Sequence, residues 1–364
     1  MKMRIFLWGT GKVSREIMTH CTTLDTYEIL GFIDNDPEKT GQQYYGKEIF
    51  PPSVLESVKP DRIVVLAGAY DAIKKQIIEN YPSCRDIKIE YKYFFYKESL
   101  LKRYNGTTDT EILKLFQYID KNGLDMFNYP YVEKYMSMEI CVHFDEEHQL
   151  FYVIHYGKRM YFPEYFTDEK MVADYYRFIL IEQDPESPHR YLDDEFCIQE
   201  GDIVVDAGVA EGNFSLENID KISKLYLVEA DERWIDALKI TFKNYSDKVQ
   251  IINAFVSSYD EGMYSRIDSL ITDEKVNFIK MDIEGNEWDG LQGAEKLINN
   301  SEKLRLAICS YHSDFDQKLI ETWMDEQDIK HSTTKGYMWY PLLVRQNYIS
   351  TKFNRAIVRG IKNG

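Results

Sequence analysis

The sequence predicts an α/β protein of two successive units, each opened by a buried strand, a glycine-bearing turn and a helix. Residues 203–205 (Ile-Val-Val) are β-branched with no polar face, as in a strand buried on both sides of a parallel sheet. They run through Asp206 into a turn flanked by Gly208 and Gly212. Residues 4–8 (Arg-Ile-Phe-Leu-Trp) do the same ahead of Gly9-Thr10-Gly11-Lys12-Val13-Ser14. A chain of 364 residues is long enough for two domains with separate cores. The expected organisation is a smaller Rossmann-like unit over 1–97, a helical connector over 98–137 and a larger Rossmann-like unit over 138–364.

In the first unit, a helix with Val13 and Ile17 facing inward follows the glycine turn, and a second strand at 29–33 stops at Asp34. No acid precedes Gly9, so this turn tolerates a phosphate, and Asp34 is placed to hold a ribose. A strand at 62–66 and a helix carrying Ile73, Ile77 and Ile78 complete the unit. The segments GTGKVS and FIDNDPEKTG resemble the Rossmann-like accessory domains of sugar-modifying enzymes. Ser14 stands where a third glycine would be, which favours an interface or substrate-presenting role over nucleotide binding.

Residues 91–96 (Tyr-Lys-Tyr-Phe-Phe-Tyr) are too aromatic for a flexible linker and offer rings on which a sugar could stack. Residues 108–123 read as an amphipathic helix with Ile112, Leu113, Phe116 and Ile119 on one side and Gly123 as its stop. Alternation at 140–144 and 151–156 predicts a β-hairpin. A helix at 172–181 then leads into a loop stiffened by Pro185 and Pro188, where His189 and Arg190 are candidates for a ligand lid or substrate wall.

The ligand class turns on Asp206. A carboxylate at the tip of the central strand repels a pyrophosphate but suits a ligand with a cationic amino group, which points to S-adenosylmethionine rather than NAD. The strand at 225–228 ends in Glu229, about two dozen residues later, where an acid accepts ribose hydroxyls. Gly208, Glu211, Gly212, Asn213 and Ala230 complete the expected cofactor set, with Phe255 beside an adenine. The alternative for Asp206 is a cap on the following helix. In a fourth strand at 276–282, alternation puts Lys280 and Asp282 on one face. Asp282 lies at the carboxyl end, where open α/β sheets bind ligands, and Glu284 lies just beyond. A buried lysine needs a partner, so Lys280 is either a site residue or half of an internal ion pair. A fifth strand at 304–309 leads to His312, whose ordinary pKa suits proton acceptance near neutrality. Residues 337–344 and 347–349 suggest a closing antiparallel hairpin.

The 61 acidic residues outnumber the 44 basic ones, for a formal charge of -17, which argues against nucleic acid or an anionic membrane surface as partner. No segment approaches the ~20 apolar residues of a membrane span, so a cytoplasmic location is expected. The five cysteines show no metal-ligand spacing and read as reduced structural thiols. The sequence is compatible with a homo-oligomer.

GDIVVDAGVAEGNFSL, VEADERW, RIDSL and VNFIKMDIEGNEWDGLQGA, with the strand ending in Tyr311-His312, resemble the FkbM family of S-adenosylmethionine-dependent methyltransferases. The resemblance spans roughly residues 150–350. It implies a seven-stranded Rossmann-like class I methyltransferase domain, often methylating a sugar hydroxyl. Ala230 stands where many relatives have proline. Asp206 and Glu229 would then anchor the cofactor, while Asp282, Glu284, Lys280 and His312 surround the acceptor oxygen of a small molecule or glycan. A divalent cation on Asp282 and Glu284 is an alternative, though two carboxylates are few ligands. The rival readings are a non-catalytic binding or scaffold protein and an NAD-dependent sugar oxidoreductase using Gly9, Gly11 and Asp34. The latter lacks a Tyr-x-x-x-Lys pair.

Overall fold

The computed structural model describes residues 2–21, 23–272, 275–313, 316–341 and 352–363, in two compact units, Met1–Asp125 and Met126–Gly364. The first unit carries β1 (Met3–Trp8), β2 (Tyr27–Ile33), β3 (Gln43–Tyr44), β4 (Lys47–Phe50), β5 (Arg62–Val65) and β6 (Lys88–Tyr91) in the order β3-β4-β2-β1-β5-β6. All pairs are parallel except β3 with β4. Phe6, Trp8, Ile63 and Val65 pack one face against Ile73 and Ile77 of the helix Tyr70–Asn80.

The connector expected over 98–137 is not one element. The helices Phe94–Arg103 and Thr110–Asn122 lie in the first unit, whereas Phe127, Tyr131 and Tyr135 belong to the core of the second. Asp109 caps the second helix by accepting from the amides of Glu111 and Ile112, and Gly123 ends it with φ at 89°. The aromatic run is core: Phe94, Phe95 and Tyr96 are buried, and the Tyr27 ring lies 5.5 Å from both phenylalanines. These three rings are therefore not a sugar platform.

The second unit begins with an antiparallel sheet of β7 (Val142–Asp145), β8 (Leu150–His155) and β9 (Lys158–Tyr161). The helix Glu169–Glu182 follows, capped by Asp168. The main sheet comprises β10 (Ile203–Ala207), β11 (Lys224–Glu229), β12 (Val249–Asn253), β15 (Phe278–Met281), β16 (Leu304–Cys309), β17 (Lys330–Thr333) and β18 (Ile357–Lys362). Its order is β12-β11-β10-β15-β16-β18-β17, seven strands, with β18 antiparallel to both neighbours. A small ribbon, β13 (Phe255–Val256) with β14 (Tyr264–Ser265), stands apart.

Alternation divides the core. Val204, Leu225, Leu227 and Phe278 face one hydrophobic cluster, and Val205, Tyr226, Val228, Ile279 and Met281 face the other. Each fully buried aliphatic chain contributes roughly 1.5–3 kcal/mol. Parallel register sets Asp206 beside Lys280 on the first face. Of the closing hairpin expected over 337–344 and 347–349, only residues 337–341 are described. Met338 and Trp339 are fully buried and Met338 forms a bridge with Asn354, while residues 342–344 and 347–349 lie outside the described residues. The polar strand β17 pairs with β18. No helix among the described residues is long and apolar enough to cross a membrane. All five cysteines are free thiols.

Candidate active site

Glu229 sits at the tip of β11 and is fixed by backbone alone. Its Oε1 accepts the amides of Ala230 and Asp231, and its Oε2 accepts the amide of Ala210 across the glycine turn. A carboxylate offers about four lone-pair sites, so one remains for a hydroxyl. It opens on a cavity of about 540 Å³ whose walls include Gly208, Trp234, Phe255, Asp282 and Asn286. Ala230 also lines this cavity. Phe255 is 43% exposed, on the cavity wall rather than in the core, and its ring stacks on Tyr264 at 5.3 Å. Two non-glycine residues on the rim are left-handed, Ala210 at φ 47° and Glu284 at φ 56°. Such strain concentrates at functional sites.

Asp206 does not reach this cavity. It is 1% exposed, with Oδ1 3.1 Å from Lys280 Nζ and Oδ2 accepting from the Ser215 hydroxyl at 2.7 Å. Lys280 also donates to the carbonyl of Gly208, so the pair ties β10, β15 and the turn together. Burial opposes the ammonium charge, yet Asp206 and Asp282 lift Lys280 above the ordinary lysine pKa. The internal ion pair weighed from the sequence is the arrangement found. Gly208 is likewise explained within the chain: at φ 73°, an added Cβ would lie 1.7 Å from the carbonyl oxygen of Asp282. Gly212 abuts Leu238 and Phe242. The close approaches are to protein, whereas the sequence suggested a ligand.

Asp282 ends β15 where two cavities meet. Its Oδ2 accepts from Tyr191 at 2.7 Å. Burial alone would raise its pKa, but Lys280, His312 and His189 hold it down to about 2. His312 is fully buried, with Nδ1 2.9 Å from Glu287 Oε1 and Nε2 3.6 Å from both Asp282 Oδ1 and Glu284 Oε2. Burial would lower His312, but Glu287 first, then Asp282 and Glu284, raise it to about 9. It is therefore a cation near neutrality, a correction to the proton acceptor expected of an ordinary histidine. Asp282, Glu287 and His312 each bring a ligand atom within 4.8 Å of one another, as do His189, Asp282 and Cys309. Lys280 already supplies a cation there.

Residues 155–330 match the model of the methyltransferase FkbM domain, and residues 1–87 match that of the C2185-like N-terminal domain. The second unit carries a methyltransferase-type domain. It is similar to methyltransferase FkbM from Methylobacillus flagellatus KT, at 15% identity over 98% of this chain and 90% of that chain, with a TM-score of 0.47. It is also similar to precorrin-6y C5,15-methyltransferase from Geobacter metallireducens GS-15, at 10% identity over 45% and 82% of the two chains, with a TM-score of 0.33. For the tRNA m1G37 methyltransferase from M. jannaschii the figures are 14%, 59% and 55%, with a TM-score of 0.34. No curated protein matches.

The methyltransferase domain has a second cavity of about 260 Å³, sharing Gly208, Ala210, Asp282 and Glu284 with the first. Glu211 and Asn213 line this one, as does Lys280, so the expected cofactor set divides between two chambers. His189, read as part of a lid, is fully buried with Nε2 3.1 Å from the Tyr311 hydroxyl, and Arg190 donates to backbone carbonyls of Gln183 and Leu192. Both hold the loop together. Sequence reasoning missed Trp234, Glu287 and Tyr191. Glu287 was within reach, since it follows the glycine turn after Asp282 and accepts the amides of Ile283 and Gly285.

Proposed function

We propose that the chain is an O-methyltransferase that carries the methyl group of S-adenosylmethionine to a sugar hydroxyl. The observation behind this reading is the pair of adjoining cavities that share Gly208, Ala210, Asp282 and Glu284. The larger one fits the cofactor: Glu229 keeps an acceptor site for a ribose diol, Phe255 and Trp234 flank an adenine, and the Asp282 carboxylate suits a sulfonium. When bound, the cofactor supplies an electrophilic methyl group.

The chain's residues do the rest. Walls of the smaller cavity hold the acceptor oxygen in line and displace water. As the new O–C bond forms and the C–S bond breaks, the hydroxyl becomes strongly acidic, so even a weak base in contact suffices. Asp282, ionised throughout the neutral range, accepts that proton. The His312 cation, oriented by Glu287, holds Asp282 and Glu284 in place. Asp206 and Lys280 position the turn. The first unit, a sheet parallel except for its β3–β4 pair and with a glycine turn after β1, is the Rossmann-like accessory domain of this reading.

The test is incubation of the full chain with methyl-labelled S-adenosylmethionine and a panel of glycans, glycosides and nucleotide sugars, read by mass spectrometry. Label on a sugar hydroxyl is expected. Label confined to protein, lipid or phenolic acceptors would overturn the sugar reading and leave the methyltransferase standing.

A further inference from the structure

The smaller cavity has a chemistry of its own. Beside Asp282 and Glu284 it presents two further acids, Glu182 and Glu211, and aromatic walls that include Tyr175 and Tyr340. Glu211 is 7% exposed and accepts from the Tyr175 hydroxyl at 2.9 Å. Among the described residues no hydrogen bond reaches Glu182, whose side chain is 19% exposed; His189 Nδ1 lies 3.4 Å from its Oε1. That histidine nitrogen also lies 3.4 Å from the Gln183 amide nitrogen. A partly buried carboxylate that lacks a protein donor relies on water, and a ligand hydroxyl that displaces this water replaces its hydrogen bond.

We propose that Glu182 and Glu211 select the acceptor as an uncharged polyhydroxylated ring, a glycosyl residue, by hydrogen-bonding two of its hydroxyl groups. The proposal rests on the sugar-hydroxyl reading above and narrows it. Among the described lining residues a phosphate on the ring finds no free counter-ion, because Lys280 is engaged by Asp206 and the Gly208 carbonyl while the Asp282 carboxylate faces the same space. Burial also pushes Glu211 up to about 7 and Glu182 well above the usual carboxylate range. They therefore serve hydroxyl groups better than they serve an ammonium ion. Tyrosine faces give the apolar side of a sugar ring a surface to pack on.

The experiment is calorimetry on the full chain saturated with S-adenosylhomocysteine. It is titrated with methyl glycosides of common hexoses and 6-deoxyhexoses, with the matching hexose phosphates, and with amino sugars. Neutral glycosides should bind at least 10-fold more tightly than phosphates or amino sugars. Glu182→Met and Glu211→Met should each weaken glycoside binding about 10-fold and leave S-adenosylhomocysteine affinity within about 2-fold, which also shows that the variants are folded. Glu182→Gln, which keeps a hydrogen-bonding group, should restore most of the loss. Tighter binding of phosphates or amino sugars, unchanged binding in both Met variants, or no glycoside binding would each overturn the proposal. Failure of the wild-type chain to bind S-adenosylhomocysteine would instead sink the underlying methyltransferase site.

Discussion

The two strand–turn–helix openings of this chain are close in sequence and differ in what their acids do. In the first unit Asp34, at the tip of β2, accepts the Thr10 amide and hydroxyl and the Asp36 amide, with Lys39 Nζ at 3.2 Å. In the second, Glu229 holds the equivalent place at the tip of β11 and accepts the Ala210 amide at 2.9 Å. The first carboxylate is closed off by the Thr10 hydroxyl and a lysine. Glu229 is braced by amides alone and faces a cavity of about 540 Å³. A second difference lies beneath the turns: Gly11 has open space where a Cβ would go, whereas Gly208 lies against Asp282. The lesson is that a glycine turn and a strand-end acid describe a backbone path. Whether that path binds anything depends on which partners the fold places around it.

The sharpest way to break the comparison is at the glycines. Gly208→Ala must move the carbonyl of Asp282 or unwind a left-handed turn, and should cost on the order of 4 kcal/mol or abolish soluble expression. Gly11→Ala should change stability by less than about 1 kcal/mol. Thermal and urea unfolding of both variants decide this, and similar losses would erase the distinction.

Lys280→Met comes next. It strands the Asp206 carboxylate in a site that is 1% exposed, and removing one partner of such a pair costs roughly 3–5 kcal/mol. The double variant Asp206→Asn with Lys280→Met should recover part of that loss. A double-mutant cycle by urea unfolding measures the coupling, and strict additivity would show that the pair is not a unit.

His312 gives a pH signature. Its folded pKa, about 9, lies above the ordinary histidine value, so the stability it contributes is fully present below about pH 6.5 and is lost as pH rises through about 9. The ceiling is about 3 kcal/mol, at 1.36 kcal/mol per unit. Stability of the wild type relative to His312→Gln should fall across that window, with Glu287, Asp282, Glu284, His189, Tyr311 and Tyr340 around the ring. A difference that is flat with pH would show that the imidazole is neutral.

The smallest effect expected is on ligand affinity. Glu229→Gln should weaken S-adenosylmethionine binding by about 1–3 kcal/mol, as for the loss of a charge-assisted hydrogen bond. Asp34→Asn should leave that affinity unchanged. Calorimetry on both variants reads the contrast.

The sequence by itself determined the parallel strands at both openings, the strand ending in Cys309, the acids at the strand tips and the resemblance to a methyltransferase family. These are local properties: β-branched runs have no polar face to expose, and strand-end acids follow from chain direction. Only the tertiary structure decided what each acid touches. Asp206 and Glu229 read alike in one dimension, but parallel register sets Asp206 against Lys280 and leaves Glu229 open to a cavity. It also decided the charge of His312, because Glu287 comes to it from another element and a pKa depends on neighbours in space. The strand Lys330–Thr333 escaped the sequence for a related reason. The apolar residues near 338 are buried in the core, and the more polar strand Lys330–Thr333 takes the edge, where one face needs no apolar cover.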